Sequence, residues 1–206
     1  MFTDEPCLHG RWSGSNEIPA SFREKYGYEL TDHLAALIDA SYPGAPMIRY
    51  QYDQCTHELL RDRYHKTLSE WCAQNGIKYT TEVPSMRMSN QRYSHVPGGD
   101  PCHDKLGFPM EKVIDRDFHI FRSNPKVISA MARQFDRRDC LVESFHSIGW
   151  SMTLQDAKWQ IDRQTLMGIS LHTFHGFYYT VDGITKHDAP PSQFFQNPYW
   201  QHYRLF

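Results

Sequence analysis

Basic clusters, paired cysteines and long apolar runs are all missing from this sequence. Lys and Arg number 22 against 24 Asp and Glu, a net charge of −2, and no basic run concentrates positive charge locally. A phosphate backbone needs such an electrostatic footprint, so no nucleic-acid partner is expected. No stretch reaches the roughly 20 apolar residues of a membrane span, so no membrane partner is expected either. The opening Met1-Phe2-Thr3-Asp4-Glu5-Pro6 has neither the basic nor the apolar region of a signal peptide, and nothing else assigns a cellular location. The five cysteines, Cys7, Cys55, Cys72, Cys102 and Cys140, form no C-x-x-C pair. That argues against a zinc ribbon or a thioredoxin-like site and for buried, reduced thiols. What remains is a folded chain with 40% hydrophobic and 22% charged residues, rich in histidine (12) and aromatics (14%).

Periodicity organises the rest. Ile48, Tyr52, Cys55, Leu59, Leu60, Tyr64, Leu68 and Trp71 recur at three- and four-residue steps, which predicts one long helix from about Pro46 to Asn75. Gly76 then stops it, and Ile77 to Pro84 reads as a strand. Asn124-Pro125 is a cap-and-first-turn pair opening a helix with Val127, Ile128, Met131 and Phe135 on one face. Asp139 to Glu143 follows as a short buried strand. Thr153-x-x-Asp156 resembles a capping box for a helix ending at Gly168, and Ile169 to Phe174 is again strand-like. A further helix is expected over Thr31 to Tyr42 and a weak strand over Tyr93 to Pro97, with a long polar loop from Pro84 to Phe118. Helix–strand alternation of this kind is the rhythm of βα units around a parallel sheet.

In parallel α/β proteins chemistry gathers at the carboxyl ends of strands. Here those ends are polar: Asp4 and Glu5 after the first strand, Glu82 after the second, Asp100 after the weak one, Glu143 at the next, and His172 and His175 at the last. Converging carboxylates suit glycoside hydrolysis, in which one acid protonates the leaving oxygen and another acts as nucleophile or base. They equally suit a divalent-metal site built from oxygens and imidazoles, a metal-dependent hydrolase using His172 and His175. Histidines three apart on a strand, however, point to opposite faces. Trp150 and the Phe177-Tyr178-Tyr179 run sit where rim loops belong and offer faces for sugar rings; Trp71 and Trp159 fall on helices and read as core. A carbohydrate-binding or inactive remnant is the non-enzymatic alternative.

Several of these segments resemble large bacterial glycoside hydrolases of the α-L-rhamnosidase type, glycoside hydrolase family 106 and its unclassified relatives. Phe2-Thr3-Asp4-Glu5-Pro6 is similar to their first-strand motif, and Phe22 to Leu30 to their F-x-x-x-x-G-Y-D-L segment. Ile48 to Tyr52, Trp71-Cys72 and Gly76-Ile77 resemble their long helix and following strand, and Pro97-Gly98-Gly99-Asp100 a PG-x-D element. Most specific are Val142-Glu143-Ser144-Phe145, Gly149-Trp150, Leu154-x-x-x-Lys158, Gly168-Ile169 and His172-x-x-His175; the tail from Asp188 to Trp200 also fits. The resemblance implies an α/β fold of the (β/α)8 TIM-barrel type acting on carbohydrate, spanning residues 1–206 as a single domain. Such a barrel takes about 250 residues, so it would be incomplete and lack terminal strands. Remaining barrel segments or flanking β-rich domains of a longer protein would complete it. The resemblance implies Glu143 as general acid and Glu5 as second carboxylate; Asp4, Asp100, Trp150, His172, His175 and Tyr178 are the candidates for substrate contact. It admits calcium among the acids and requires no other cofactor. Two departures stand out: Gln51 where relatives often carry an acid, and Glu82 where a Gly-His pair is common.

Overall fold

Neighbouring parallel strands need a crossover of a dozen or more residues, and the helix–strand alternation supplies it. The computed structural model describes residues 1–6, 11–82, 88–101, 111, 124–178, 180, 182–183 and 190–205. Cys7, Cys102, Tyr179 and most of the expected 84–118 loop lie outside them. Among the described residues five strands form one all-parallel sheet in sequential order: β1 (Phe2–Thr3), β2 (Thr80–Thr81), β3 (Val96–Gly99), β4 (Leu141–Ser144) and β5 (Leu171–Phe174). The chain divides into two compact units: Met1–Pro6 with Lys78–Phe206, which holds the sheet, and Cys7–Ile77, which is helical.

The sheet unit follows its local signals closely. Asn124 Oδ1 accepts from Lys126 N and Pro125 takes the first turn, so α5 runs Pro125–Gln134. Thr153 and Asp156 cap each other reciprocally at the start of α6, Leu154–Leu166. Right-handed crossovers put α5 and α6 on the same face of a sequentially ordered sheet. There Ile128 and Ala132 pack with Cys140, Val142 and Ile169. Gly168 must be glycine: its φ is +100°, and a Cβ would stand 3.1 Å from that of Ser129.

In the helical unit, α1 (Glu17–Tyr26), α2 (Ala35–Ile38) and α3 (Ala45–Leu59) enclose Ile18, Phe22, Leu30, Leu37, Ile48 and Tyr52. The single helix expected from Pro46 to Asn75 is continuous in path but not in type. After α3 the backbone makes a π-helical segment, Leu60–His65, before resuming as α4, Lys66–Gln74. A π turn takes more residues than an α turn, so every later position is rotated off the original stripe. Trp71, expected in the core, is 50% exposed for this reason. The helix expected over Thr31 to Tyr42 is a 3-10 turn, Leu30–His33, followed by the short α2. α1 carries little signal in the sequence, because its buried face is only Ile18 and Phe22.

The (β/α)8 barrel, even an incomplete one, is not what forms. Among the described residues the sheet has five strands, with β1 and β5 at its two edges rather than paired with each other. A barrel closes only when first and last strands hydrogen-bond, and between β1 and β2 stands a whole helical unit rather than one crossover helix. The architecture is an open, parallel α/β sheet. No helix among the described residues is long and apolar enough to cross a membrane.

Candidate active site

Strand register decides which side chains can meet. Thr3 aligns with Thr81, and Thr81 with Pro97, so the next residues, Asp4, Glu82 and Gly98, stand side by side. Gly99 aligns with Val142, which sets Asp100 beside Glu143, and Glu143 aligns with Thr173. In a strand, positions two apart share a face. Gly98 and Asp100 therefore bring Asp4, Glu82, Asp100 and Glu143 to one face at the carboxyl ends of four consecutive strands. Gly98 places no side chain among them.

The side chains converge as the register requires. Oxygens of Asp4, Glu82 and Glu143 lie within 4.8 Å of one another, and so do those of Glu5, Glu82 and Asp100. Glu82 belongs to both groups. It is also the most deeply buried of the five, 1% exposed against 8% for Glu143, while Asp4 and Glu5 are exposed and Asp100 half-buried. Burial, a hydrogen bond with Glu143, and the nearby charges of Glu143, Asp100 and Asp4 push the Glu82 carboxyl far above its ordinary range. Burial beside three other carboxyl groups thus favours the protonated form of Glu82. Among the described residues, buried Glu82 Oε1 has no hydrogen-bond partner.

Two imidazoles border the acids. His175 Nε2 is 3.8 Å from Glu143 Oε1, and His146 Nδ1 is 3.9 Å from Asp100 Oδ2. Their rings meet edge to face at 5.0 Å, and Tyr178 stands edge-on to His175 at 5.7 Å. His172 goes elsewhere. It aligns with Val142, on the opposite face from Glu143, and its Nδ1 is 3.4 Å from Ser144 Oγ. Ser144 Oγ donates to Gln164 Oε1 at 2.9 Å. Burial pushes the His172 imidazole below its usual pKa, so it is neutral at pH 7. His172 and His175 thus form no ligand pair; among the described residues the groups able to hold a metal consist of carboxylates alone.

The backbone is strained on both sides of the site. Glu5 has φ +33° and Phe145 φ +78°, left-handed values that cost a non-glycine residue roughly 1–3 kcal/mol. Phe145 is held there by burial and by stacking on Phe174, with ring centroids 4.9 Å apart. Trp150 is half exposed on the loop after β4. Of the residues singled out from sequence, Glu143, Glu5, Asp4, Asp100, His175 and Tyr178 are thus gathered around Glu82, and His172 lies behind the sheet. Glu82 is legible as a polar strand end, yet its place at the centre of the group is not. His146 is marked in the sequence only by following Glu143 by three residues.

No protein-family model matches the chain, and no curated protein matches it by sequence. Among solved structures, a rhamnosidase from Novosphingobium sp. PP1Y shares its fold with a TM-score of 0.59 at 17% identity. The match covers 79% of this chain and 16% of that one, so this chain spans a small part of that protein's length.

Proposed function

We propose that this chain carries the carboxylate site of a glycoside hydrolase and cleaves O-glycosidic bonds by acid-assisted departure of the leaving oxygen. The observation that carries the reading is the convergence of buried Glu82 and Glu143 at the strand ends, their oxygens within 4.8 Å of each other, with Asp4, Glu5 and Asp100 around them. General acid catalysis needs a carboxyl group that still holds its proton at working pH, beside another that does not. Glu143 is the more accessible of the pair and hands the shared proton to the glycosidic oxygen; Glu82 stores it. Glu5, exposed at the rim, is the second carboxylate, acting on the sugar carbon directly or through water. His175 stands beside Glu143, its Nε2 3.8 Å from Oε1, and Tyr178 offers a ring to the sugar. The structural likeness to a rhamnosidase points to the same substrate class.

Calcium fits this donor set. The groups offer only hard oxygens, they lie as close as ligands bound at about 2.3–2.6 Å to one ion must lie, and Glu82 Oε1 is an orphaned buried acceptor. Asp4, Glu82 and Glu143, or Glu5, Glu82 and Asp100, would hold it in place of the proton on Glu82, and in that state it would supply positive charge for sugar hydroxyls.

The test is release of the chromophore from a panel of aryl glycosides, α-L-rhamnoside included. Glu143→Gln is expected to lower kcat at least about 100-fold, the scale of a lost general acid. Sugar binding without turnover, unchanged in Glu143→Gln, would replace catalysis with a binding function.

A further inference from the structure

The ladder between β2 and β3 begins with Val96 N–H donating to Tyr79 O at 3.1 Å, in the register Thr80↔Val96 and Thr81↔Pro97. Beyond Pro97 a side chain takes part in joining the two strands. Gln91, on the 3-10 segment Met88–Tyr93 between these strands in the chain, bonds to both backbones. Its Nε2 donates to the carbonyl oxygens of Thr81 at 3.2 Å and Gly98 at 2.5 Å, and its Oε1 accepts from Gly98 N at 3.2 Å. The amide can be oriented only one way, because two carbonyls face one end and an N–H faces the other. Gln91 is fully buried, and the strands approach so closely that a Cβ on Gly98 would stand 2.6 Å from the Thr81 oxygen. Thr81 directly precedes Glu82, and Gly98 stands two residues before Asp100.

We propose that Gln91 is a positioning residue of the carboxylate site: its carboxamide ties the backbone of β2 to that of β3 and so sets the spacing of Glu82 and Asp100. The effect on turnover rests on the glycosidase reading; the tie itself does not. A residue that merely filled space would need none of the three hydrogen bonds.

Two measurements test it, beginning with the unmodified protein. Both side-chain amide protons of Gln91 should exchange with solvent at least about 100-fold more slowly by NMR than those of the exposed Gln134, because breaking them requires local opening. Exchange at the rate of Gln134 overturns the proposal. In Gln91→Met, which keeps the length and removes the bonds, the Gly98 amide should exchange about tenfold faster. Aryl-glycoside kcat should fall about tenfold with KM within about twofold, since a misplaced catalytic group slows the chemical step more than binding. A folded variant with unchanged kcat overturns the proposal. If the unmodified protein turns over no glycoside, the glycosidase reading fails, and an unchanged Gly98 exchange rate then overturns the positioning role separately. If Gln91→Met does not fold, carboxamide exchange in the unmodified protein decides.

Discussion

A carboxyl group with 1% of its surface exposed, crowded by a second carboxyl within 4.8 Å, is stabilised by keeping a proton. That condition makes Glu82 a source of pH dependence as well as the centre of the site. From the ordinary value of 4.5 upward, the unfolded chain releases the Glu82 proton while the folded chain retains it. Stability from this group is therefore complete below pH 4.5 and declines as pH rises toward the elevated folded value. Glutamine at this position never ionises and still donates to Glu143. Glu82→Gln should raise Tm by about 3 °C or more at pH 8, with the gain shrinking toward zero at pH 5. Thermal denaturation followed by circular dichroism at both pH values checks this; an equal gain at both would assign the effect to packing instead. Sequence alone marks Glu82 as one polar strand end among several. Its protonation depends on Glu143, Asp100 and Asp4, which lie far off in the chain, so no local pattern announces it.

Among the elements, the helical path from Ala45 to Gln74 shows how far periodicity reaches. Its apolar steps specify a helix, and a helix forms, but six residues of it are π-helical and end at His65. His65 is fully buried, and loss of hydration lowers its pKa from 6.5 to about 4. Between those values the unfolded chain takes up a proton that the folded chain refuses, so stability is lost as pH falls through that window. At about 1.4 kcal/mol per pKa unit, the loss approaches roughly 3 kcal/mol at pH 4. Melts of the unmodified protein and His65→Gln between pH 7 and 4 should diverge, the variant falling less steeply. Parallel curves would mean that His65 is protonated in the folded state. The caps tell the opposite story from the π segment. Asn124-Pro125 and Thr153-x-x-Asp156 begin helices where they stand, because a cap satisfies backbone donors within three residues of itself.

Across the whole molecule, separate cores imply separable stability. The helical unit closes around Phe22, Ile48 and Tyr52, whereas the sheet unit rests on Ile128, Val142 and Ile169 and on Phe145, Ile148 and Met152. Ser144→Ala removes the bond to Gln164 Oε1 between two buried groups and should cost the sheet unit about 1–3 kcal/mol. Amide hydrogen exchange should then accelerate in β4, β5 and α6 and leave α1 and α3 unchanged; a uniform acceleration would show one cooperative structure. The capped starts of α5 and α6, the polar strand ends, the parallel α/β class and the acidic character of the rim are present in the order of residues, because propensity, capping and side-chain alternation act over a few positions. The number of strands, the open edges at β1 and β5, the parting of His172 from His175 and the tie made by Gln91 belong to the tertiary structure. Each depends on register between strands far apart in the chain, as when Thr81 Oγ1 donates to Thr3 O across 78 residues. Only packing of the assembled sheet selects that register, and a shift of one residue would turn every acid to the other face.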